Sequence, residues 1–202
     1  MASVSYADYA WIPKAKHLYA RAGFDYLTSG DNLDADSVKT PIYLGGQPAD
    51  FRAFSFWIEP EYGFAKDMSA SVRLGFLSNS VESSTATLSG SGLGDARVAV
   101  KYLLIPDKPT LTLEVNGKIP LYTIGDPGPD ELVLGDGNFD LGLILHGGYI
   151  LRKRFFFSLS PGLLFRFSGY STAFSLEPAV GATIKQFGFR LFGRWIQSVQ
   201  QN

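Results

Sequence analysis

Residues 139–168 read FDLGLILHGGYILRKRFFFSLSPGLLFRFS, and this stretch decides the fold. On both sides of the basic turn at 152–154, large apolar side chains occupy most second positions, and most residues between them are small or polar. A period of two is typical of β-strands, because successive side chains of a strand point to opposite faces of the sheet. Two such strands joined by a short turn predict an antiparallel hairpin.

The same alternation recurs along the chain and predicts nine strands. They are expected at 16–27, 51–64, 68–78, 95–105, 110–122, 139–151, 155–168, 172–184 and 187–199. No long window carries apolar residues at helical spacing. The 22 glycines and the 14% aromatic residues also favour strands, because helices tolerate glycine poorly. The sequence therefore predicts an all-β protein.

The connections between these strands alternate in length. Short turns at 65–67, 106–109, 152–154 and 185–186 alternate with long loops at 28–50, 79–94 and 123–138, and the 169–171 connection is the exception. The long loops are rich in Gly, Ser, Thr, Asp and Pro, so no further strand is expected in them outside 37–46. Short turns at one end and long loops at the other are typical of an antiparallel up-and-down transmembrane β-barrel. We expect one barrel domain over residues 1–202, with an N-terminal periplasmic segment at 1–15 and about ten strands in all.

The charges of the strand interiors all fall on one face of the predicted sheet. These fourteen residues are Arg21, Asp25, Glu59, Glu61, Arg73, Arg97, Lys101, Glu114, Lys118, Asp140, Arg166, Glu177, Arg190 and Arg194. The opposite face is apolar, as in Leu111, Leu113 and Val115. Only residues near strand ends, such as Lys16 and Arg52, depart from this rule, where a long side chain reaches water. Together with His146, the fourteen charges are the candidate lumen-lining residues.

Alternation alone leaves open which face is inside. A soluble lipocalin-like binding barrel places its apolar face inward, and it stays the alternative. Three features favour a membrane barrel instead: the apolar face is too bulky for a small interior, the strands match a tilted bilayer span, and the charged face carries small residues. Those small residues include Gly23, Gly75, Gly142, Gly148, Gly162, Gly181 and Gly188.

Composition excludes several classes of protein and site. A formal net charge of −1 gives no overall attraction to nucleic acid, so no nucleic-acid partner is expected. The absence of cysteine excludes a disulfide framework and a thiolate site, and two histidines, His17 and His146, exclude an all-histidine metal cage. We therefore expect neither a metal nor a cofactor, and the sequence indicates no oligomeric state.

No apolar stretch is long enough for a transmembrane helix, and the first residues lack the apolar run of a signal peptide. This absence fits either a cytosolic protein or a mature exported chain. Because the strand pattern favours a membrane barrel, we expect the mature chain of a bacterial outer-membrane protein. Its short turns are basic and its long loops acidic. Basic turns suit anionic lipid headgroups, and acidic loops can share divalent cations with lipopolysaccharide, although solvation explains the loops equally well.

Several short motifs resemble an outer-membrane β-barrel family, the phenol-degradation (meta-pathway) proteins. They are Trp11, Pro13 and Lys14; Glu61, Tyr62 and Gly63; Gly92, Gly94 and Asp95; Lys118, Ile119 and Pro120; and Gly135, Gly137 and Asp140. The similarity covers most of residues 11–195. It implies a Gram-negative outer-membrane barrel that passes small hydrophobic or aromatic compounds. Members usually have further C-terminal strands and end on an aromatic residue, whereas this sequence ends in Gln201 and Asn202.

One pair of residues suggests chemistry. If Leu151 pairs with Phe155, His146 lies opposite Ser160 on the charged face. A histidine beside a serine is part of an acyl-transfer site, as in a lipid-modifying enzyme, but no carboxylate is evidently placed to orient the histidine. We therefore expect a hydrogen-bonding role, no catalytic residue and no enzyme activity.

Two other motifs carry no site. Asp31, Asp34 and Asp36 lack the glycine and the terminal glutamate of an EF-hand. Residues 92–95 lead into a strand and not into a helix, so they do not form a phosphate loop.

Turn length also predicts which charges oppose each other, because paired residue numbers in an antiparallel hairpin have a constant sum. The expected pairs are Glu59 with Arg73, Lys101 with Glu114, Asp140 with Arg166 and Glu177 with Arg194. The same rule places Arg97 opposite Lys118, which is unfavourable unless a carboxylate lies between them. These expectations fit a channel or diffusion facilitator, or a closed barrel that acts structurally or binds a partner through its acidic loops. Strand number discriminates the two, because small barrels are filled by side chains.

Overall fold

The computed structural model describes residues 10–33, 39–122, 132, 134, 137–151, 154–167, 172–184 and 187–198. Within these residues the chain forms fourteen β-strands and no helix. The strands are β1 (Leu18–Ser29), β2 (Asp31–Leu33), β3 (Lys39–Pro41), β4 (Tyr43–Leu44), β5 (Gln47–Ala65), β6 (Met68–Ser83), β7 (Thr87–Leu93), β8 (Asp95–Ile105), β9 (Thr110–Pro120), β10 (Asp140–Leu151), β11 (Phe155–Arg166), β12 (Ala173–Ile184), β13 (Phe187–Phe192) and β14 (Trp195–Ser198). The described ranges hold no helix with the length and apolarity needed to cross a bilayer.

Nine of these strands form one antiparallel sheet that is curled as a half-barrel. Their order in the sheet is β1, β5, β6, β8, β9, β10, β11, β12 and β13. These nine strands therefore lie side by side in the order in which they occur along the chain. In the described part of the chain, β1 and β13 are the two edges and do not pair with each other. The predicted all-β, up-and-down architecture is confirmed.

The expectation that the loop at 79–94 lacks a strand is wrong. Strand β6 continues to Ser83, and β7 pairs back onto it from Thr87 to Leu93. Backbone groups make this ladder, so the polar sequence TLSGSGL forms a strand without an apolar alternation. In the loop at 28–50, β3 and β4 fall within the 37–46 stretch that the sequence left open. Strand β2 lies outside that stretch and pairs with β3, so the expectation of no strand elsewhere in this loop is wrong. Most of the loop at 123–138 lies outside the described residues.

The ninth predicted strand is not continuous. It is divided into β13 and β14 at Gly193 and Arg194. Both pieces keep the same register against β12, with Ala179 opposite Phe192 and Leu176 opposite Trp195. The interruption lies opposite Pro178, which has no backbone N–H to donate to the ladder.

Curvature buries one face of the sheet and exposes the other. On the concave face, Glu61 and Lys101 are each 1% exposed. On the convex face, Phe24 and Leu191 are each 74% exposed. The concave face is therefore the charged one, and the convex face is apolar.

A segment that precedes β1 lies on the concave face, and we call residues 10–17 the N-terminal strap. Thr112 Oγ1 donates a hydrogen bond to the Ala10 carbonyl at 2.7 Å. The Trp11 ring meets Phe156 edge-on, with ring centroids 5.7 Å apart. Thr112 and Phe156 both lie next to short turns, so the strap covers the short-turn end of the sheet. Residues 1–9 of the expected periplasmic segment lie outside the described residues.

Candidate functional site on the concave face

The most deeply buried charges lie in the half of the concave face nearer the short turns, around Glu61. The Glu61 carboxylate accepts hydrogen bonds from Arg21 Nη2 at 2.5 Å, Ser69 Oγ at 2.6 Å and Lys101 Nζ at 3.0 Å. The side chains of Glu61 and Lys101 are each 1% exposed. Such burial is tolerable because the charges are paired and hydrogen-bonded.

Glu59 extends this cluster along β5. Its Oε1 accepts from Arg21 Nη2 at 2.7 Å, and its Oε2 accepts from Arg73 Nε at 2.7 Å. The β1–β5 register places Arg21 directly opposite Glu59. Arg73 also stacks over the Trp57 ring, 4.3 Å from its centroid. Two arginines therefore share one buried carboxylate.

His146 lies at mid-height, between a serine and a glutamate. Its Nδ1 is 2.9 Å from Ser160 Oγ, and its Nε2 is 3.1 Å from Glu114 Oε2. The predicted His146–Ser160 opposition is therefore present, but the expectation that no carboxylate reaches the histidine is wrong. Glu114 comes from the neighbouring strand β9, where Thr112 and not Glu114 is the residue directly opposite His146. The carboxylate reaches the ring diagonally, which opposition across a single hairpin does not reveal.

The chemistry of this trio follows from its hydrogen bonds. The second oxygen of Glu114 accepts from Arg97 Nη2 at 2.8 Å and from Asn116 Nδ2 at 2.9 Å, which favours a carboxylate. With hydrogen on Nε2, His146 donates to Glu114 and its Nδ1 accepts from the Ser160 hydroxyl. Ser160 is only 4% exposed, so the trio connects three strands inside the molecule.

Charges continue towards the long-loop end. Lys118 Nζ lies 2.9 Å from Asp140 Oδ2 and 3.8 Å from Asp95 Oδ2. Glu177 pairs with Arg190, and its Oε2 accepts from Arg194 Nε at 2.7 Å. Each carboxylate of this region therefore faces at least one cation.

The exposed charges of the concave face lie at its edges. On β1, Asp25 accepts hydrogen bonds from Ser55 Oγ at 3.0 Å and from Trp57 Nε1 at 3.1 Å. Near the other edge, the Arg194 side chain is 45% exposed. Among the candidate lumen-lining residues that the structure describes, the exposed ones therefore lie on or beside the edge strands.

A small cavity opens between these groups, on the loop side of His146. Its volume is about 70 Å³. Charged and hydroxyl groups share its wall with three apolar side chains, Ile144, Leu164 and Ile196. Its polar wall includes Arg97, Glu114, His146, Ser160, Ser175, Glu177 and Arg194. The wall of this cavity therefore combines charged, hydroxyl and apolar groups.

The four predicted charge pairs have mixed outcomes. Ion pairs form directly for Glu59 with Arg73, at 2.5 Å, and for Glu177 with Arg194, at 2.6 Å. The register places Lys101 opposite Glu114 and Asp140 opposite Arg166, as expected. However, the ion pairs found in the described residues join Lys101 to Glu61 and Asp140 to Lys118. Contacts within salt-bridge distance are thus found for two of the four predicted pairs.

The Arg97–Lys118 opposition is present and is relieved as the sequence required. Arg97 turns to Glu114, and Lys118 turns to Asp140. Of the other motifs, Asp31 lies in β2, residues 34 and 36 lie outside the described residues, and Asp95 opens β8. Among the described residues, no group of three or more His, Asp or Glu side chains is arranged to hold a metal ion.

The motifs that carry the family resemblance lie at structurally distinct places. Trp11, Pro13 and Lys14 belong to the N-terminal strap, and Glu61 and Gly63 lie on β5 beside it. Comparison of the chain with family models finds no matching family, and comparison with curated proteins finds no match. The resemblance to the phenol-degradation (meta-pathway) family therefore stays a prediction.

Proposed function

We propose that the chain is a bacterial outer-membrane β-barrel whose lumen admits small molecules, including hydrophobic or aromatic ones. The observation that carries this proposal is the sorting of side chains between the two faces. Large apolar side chains cover the convex face, and paired charges lie on the concave face. Bilayer hydrocarbon accepts the first face and excludes the second, because a basic residue on the lipid side at the midplane costs roughly 2–4 kcal/mol.

The orientation of the faces favours this proposal over a soluble lipocalin-like binding barrel. A lipocalin keeps its apolar side chains inside and shows polar ones to water. Here Phe56 is 49% exposed, and Glu59, three residues further along β5, is 4% exposed. In water, the convex face would be an apolar patch far larger than soluble monomers carry.

Entry of a small molecule is supported by the position of the cavity. It lies in the half of the concave face nearer the long loops, among side chains that include Arg97 on β8 and Ser175 on β12. Its apolar wall at Ile144 and Leu164 suits a hydrophobic body, and its arginines and serines suit a polar group. We place the solute there, entering from the long-loop side.

A closed barrel that acts structurally or binds a partner is the second candidate function. The dense pairing around Glu61 favours it, because these buried ion pairs leave little space for water at that level. Basic residues of the short turns, such as Lys66 and Lys108, suit anionic lipid headgroups in both cases. Outer-membrane lipid and lipopolysaccharide are therefore the proposed partners of either barrel.

The three tryptophans allow a direct test of the membrane proposal. Trp195 lies on the convex face and is 52% exposed, whereas the Trp57 indole donates to Asp25 on the concave face. Two variants isolate these fluorophores: Trp11→Phe with Trp57→Phe, and Trp11→Phe with Trp195→Phe. After folding into lipid vesicles with brominated acyl chains, we expect quenching of Trp195 and not of Trp57.

Equal quenching of the two tryptophans, or quenching of Trp57 alone, would overturn the proposed orientation. A second measurement separates the two candidate functions. Vesicles that hold the inserted protein are expected to take up small solutes faster than protein-free vesicles. Equal uptake would favour the closed barrel.

A further inference from the structure

The short-turn end of the concave face is covered by the N-terminal strap and not by side chains of the sheet alone. Ala10 is fully buried and Trp11 is 9% exposed. These two residues form a buried apolar cluster with Phe156, and Ile150 packs against the cluster. The concave face is charged, but at its short-turn end Ala10, Trp11 and Phe156 form an apolar plug.

Two glycines of the sheet, Gly63 and Gly148, allow the strap to approach the strands closely. A Cβ atom on Gly148 would lie 2.6 Å from Ala10 Cβ and 2.8 Å from the Trp11 ring. A Cβ atom on Gly63 would overlap the Lys14 carbonyl oxygen. Both positions therefore need glycine for the strap to approach the strands so closely.

The two ends of the strap are held differently. At its carboxyl end, the Lys16 amide donates to the Gly63 carbonyl at 2.6 Å, and the Gly63 amide donates to the His17 carbonyl at 3.0 Å. This end continues the backbone ladder of β1 and β5. At its amino end, the hydrogen bond from Thr112 and the packing of Trp11 hold the strap. The amino end can therefore separate from the sheet without unpairing β1.

The strap and the cavity lie at different heights. Thr112, Gly148 and Phe156 are within four residues of a short turn. The cavity instead borders Arg97 and Ser175, near the starts of β8 and β12, at the end of these strands away from the short turns. A solute in the cavity therefore meets the strap on its way to the short-turn end.

We propose that Trp11 controls passage through the lumen, because its ring and Ala10 close the short-turn end until the amino end of the strap moves. This inference rests on the proposed barrel function and adds the residue that sets its permeability. It also gives a role to two motifs of the sequence, the one at Trp11 and the one at Gly63.

The test measures uptake of small solutes by vesicles that hold the full chain. Trp11→Ala should raise the uptake rate at least about tenfold, because it removes the largest buried side chain of the plug. Thr112→Val keeps the side-chain shape and removes one hydrogen bond, so it should raise the rate roughly fivefold. The matched control is Tyr149→Ala, which removes an aromatic ring next to Gly148 from the convex face and should leave the rate unchanged.

A second variant tests the same contact from the side of the sheet. A Cβ atom on Gly148 would lie 2.6 Å from Ala10 Cβ and 2.8 Å from the Trp11 ring, so Gly148→Ala should displace the amino end of the strap and raise the uptake rate. Unchanged uptake in Trp11→Ala and Thr112→Val, with Trp195 still quenched by brominated lipid, would overturn the strap proposal alone. Absence of Trp195 quenching in the variant with Trp11→Phe and Trp57→Phe would overturn both proposals.

Discussion

Glu61→Gln is the most informative single change, because its carboxylate connects β5 to three other strands. Glu61 accepts from Arg21, Ser69 and Lys101, and it is 1% exposed. Glutamine keeps the size of the side chain and removes its charge. Lys101, also 1% exposed, then loses its ion pair with Glu61 inside the molecule. Breaking a buried pair by removing one partner costs about 3–5 kcal/mol of unfolding free energy.

The matched control is Glu82→Gln. Glu82 pairs with Arg52 at 3.3 Å, but their side chains are 54% and 50% exposed. An exposed pair contributes about 0–1 kcal/mol. The two variants therefore make the same chemical change in two environments, and the difference between them isolates the effect of burial.

The assay is a urea titration of the chain folded in lipid vesicles, followed by tryptophan fluorescence. With a slope near 2 kcal/mol per M, Glu61→Gln should lower the midpoint by about 2 M, and Glu82→Gln by less than about 0.5 M. Adding Lys101→Met to Glu61→Gln should recover part of the loss, because no buried cation then remains at that position. Equal midpoints for the two single variants would refute the argument that pairing at Glu61 stabilises the fold.

Two further predictions concern the outer face and the trio at mid-height. Leu143→Arg should reduce the yield of vesicle-inserted protein, since arginine on the lipid face costs roughly 2–4 kcal/mol, whereas Asn116→Arg on the concave face should be tolerated better. Equal yields of inserted protein would contradict the orientation of the sheet. Ser160, 4% exposed beside His146, should resist labelling by a fluorophosphonate that reacts with activated serines. Labelling that disappears in His146→Ala would instead indicate a hydrolase.

Two rules predict most of this fold from the sequence. Apolar side chains recur at every second residue of a strand, and the numbers of paired residues in an antiparallel hairpin have a constant sum. The register places Lys101 opposite Glu114 and Asp140 opposite Arg166, as turn length alone predicts. Turn length does not reveal which of the nearby charges make contact. Lys101 on β8 reaches Glu61 on β5 across the intervening strand β6. The curvature of the sheet brings β5 and β8 close enough for this contact. Neither sequence rule predicts that curvature.

Two other features escaped the sequence for a different reason. Strand β7 is held on β6 by backbone hydrogen bonds, and this pairing does not require apolar side chains at alternate positions. The N-terminal strap has no regular period at all, and its contact with Gly148 joins residues far apart in the chain. The only local sign of the strap in the sequence is the motif formed by Trp11, Pro13 and Lys14. A buried tryptophan outside any strand needs a partner surface, and the sequence does not identify Phe156 as that surface.

The concave face is divided into a turn half, nearer the short turns, and a loop half, nearer the long loops, and the two halves are packed differently. In the turn half, the ion pairs of Glu61 and the strap fill the space between strands. In the loop half, the cavity remains between Arg97 and Arg194. Under the proposed function, changes of charge beside this cavity should alter which solute is held there. Under the same proposal, a change beside Trp11 should lengthen the path that a solute can follow.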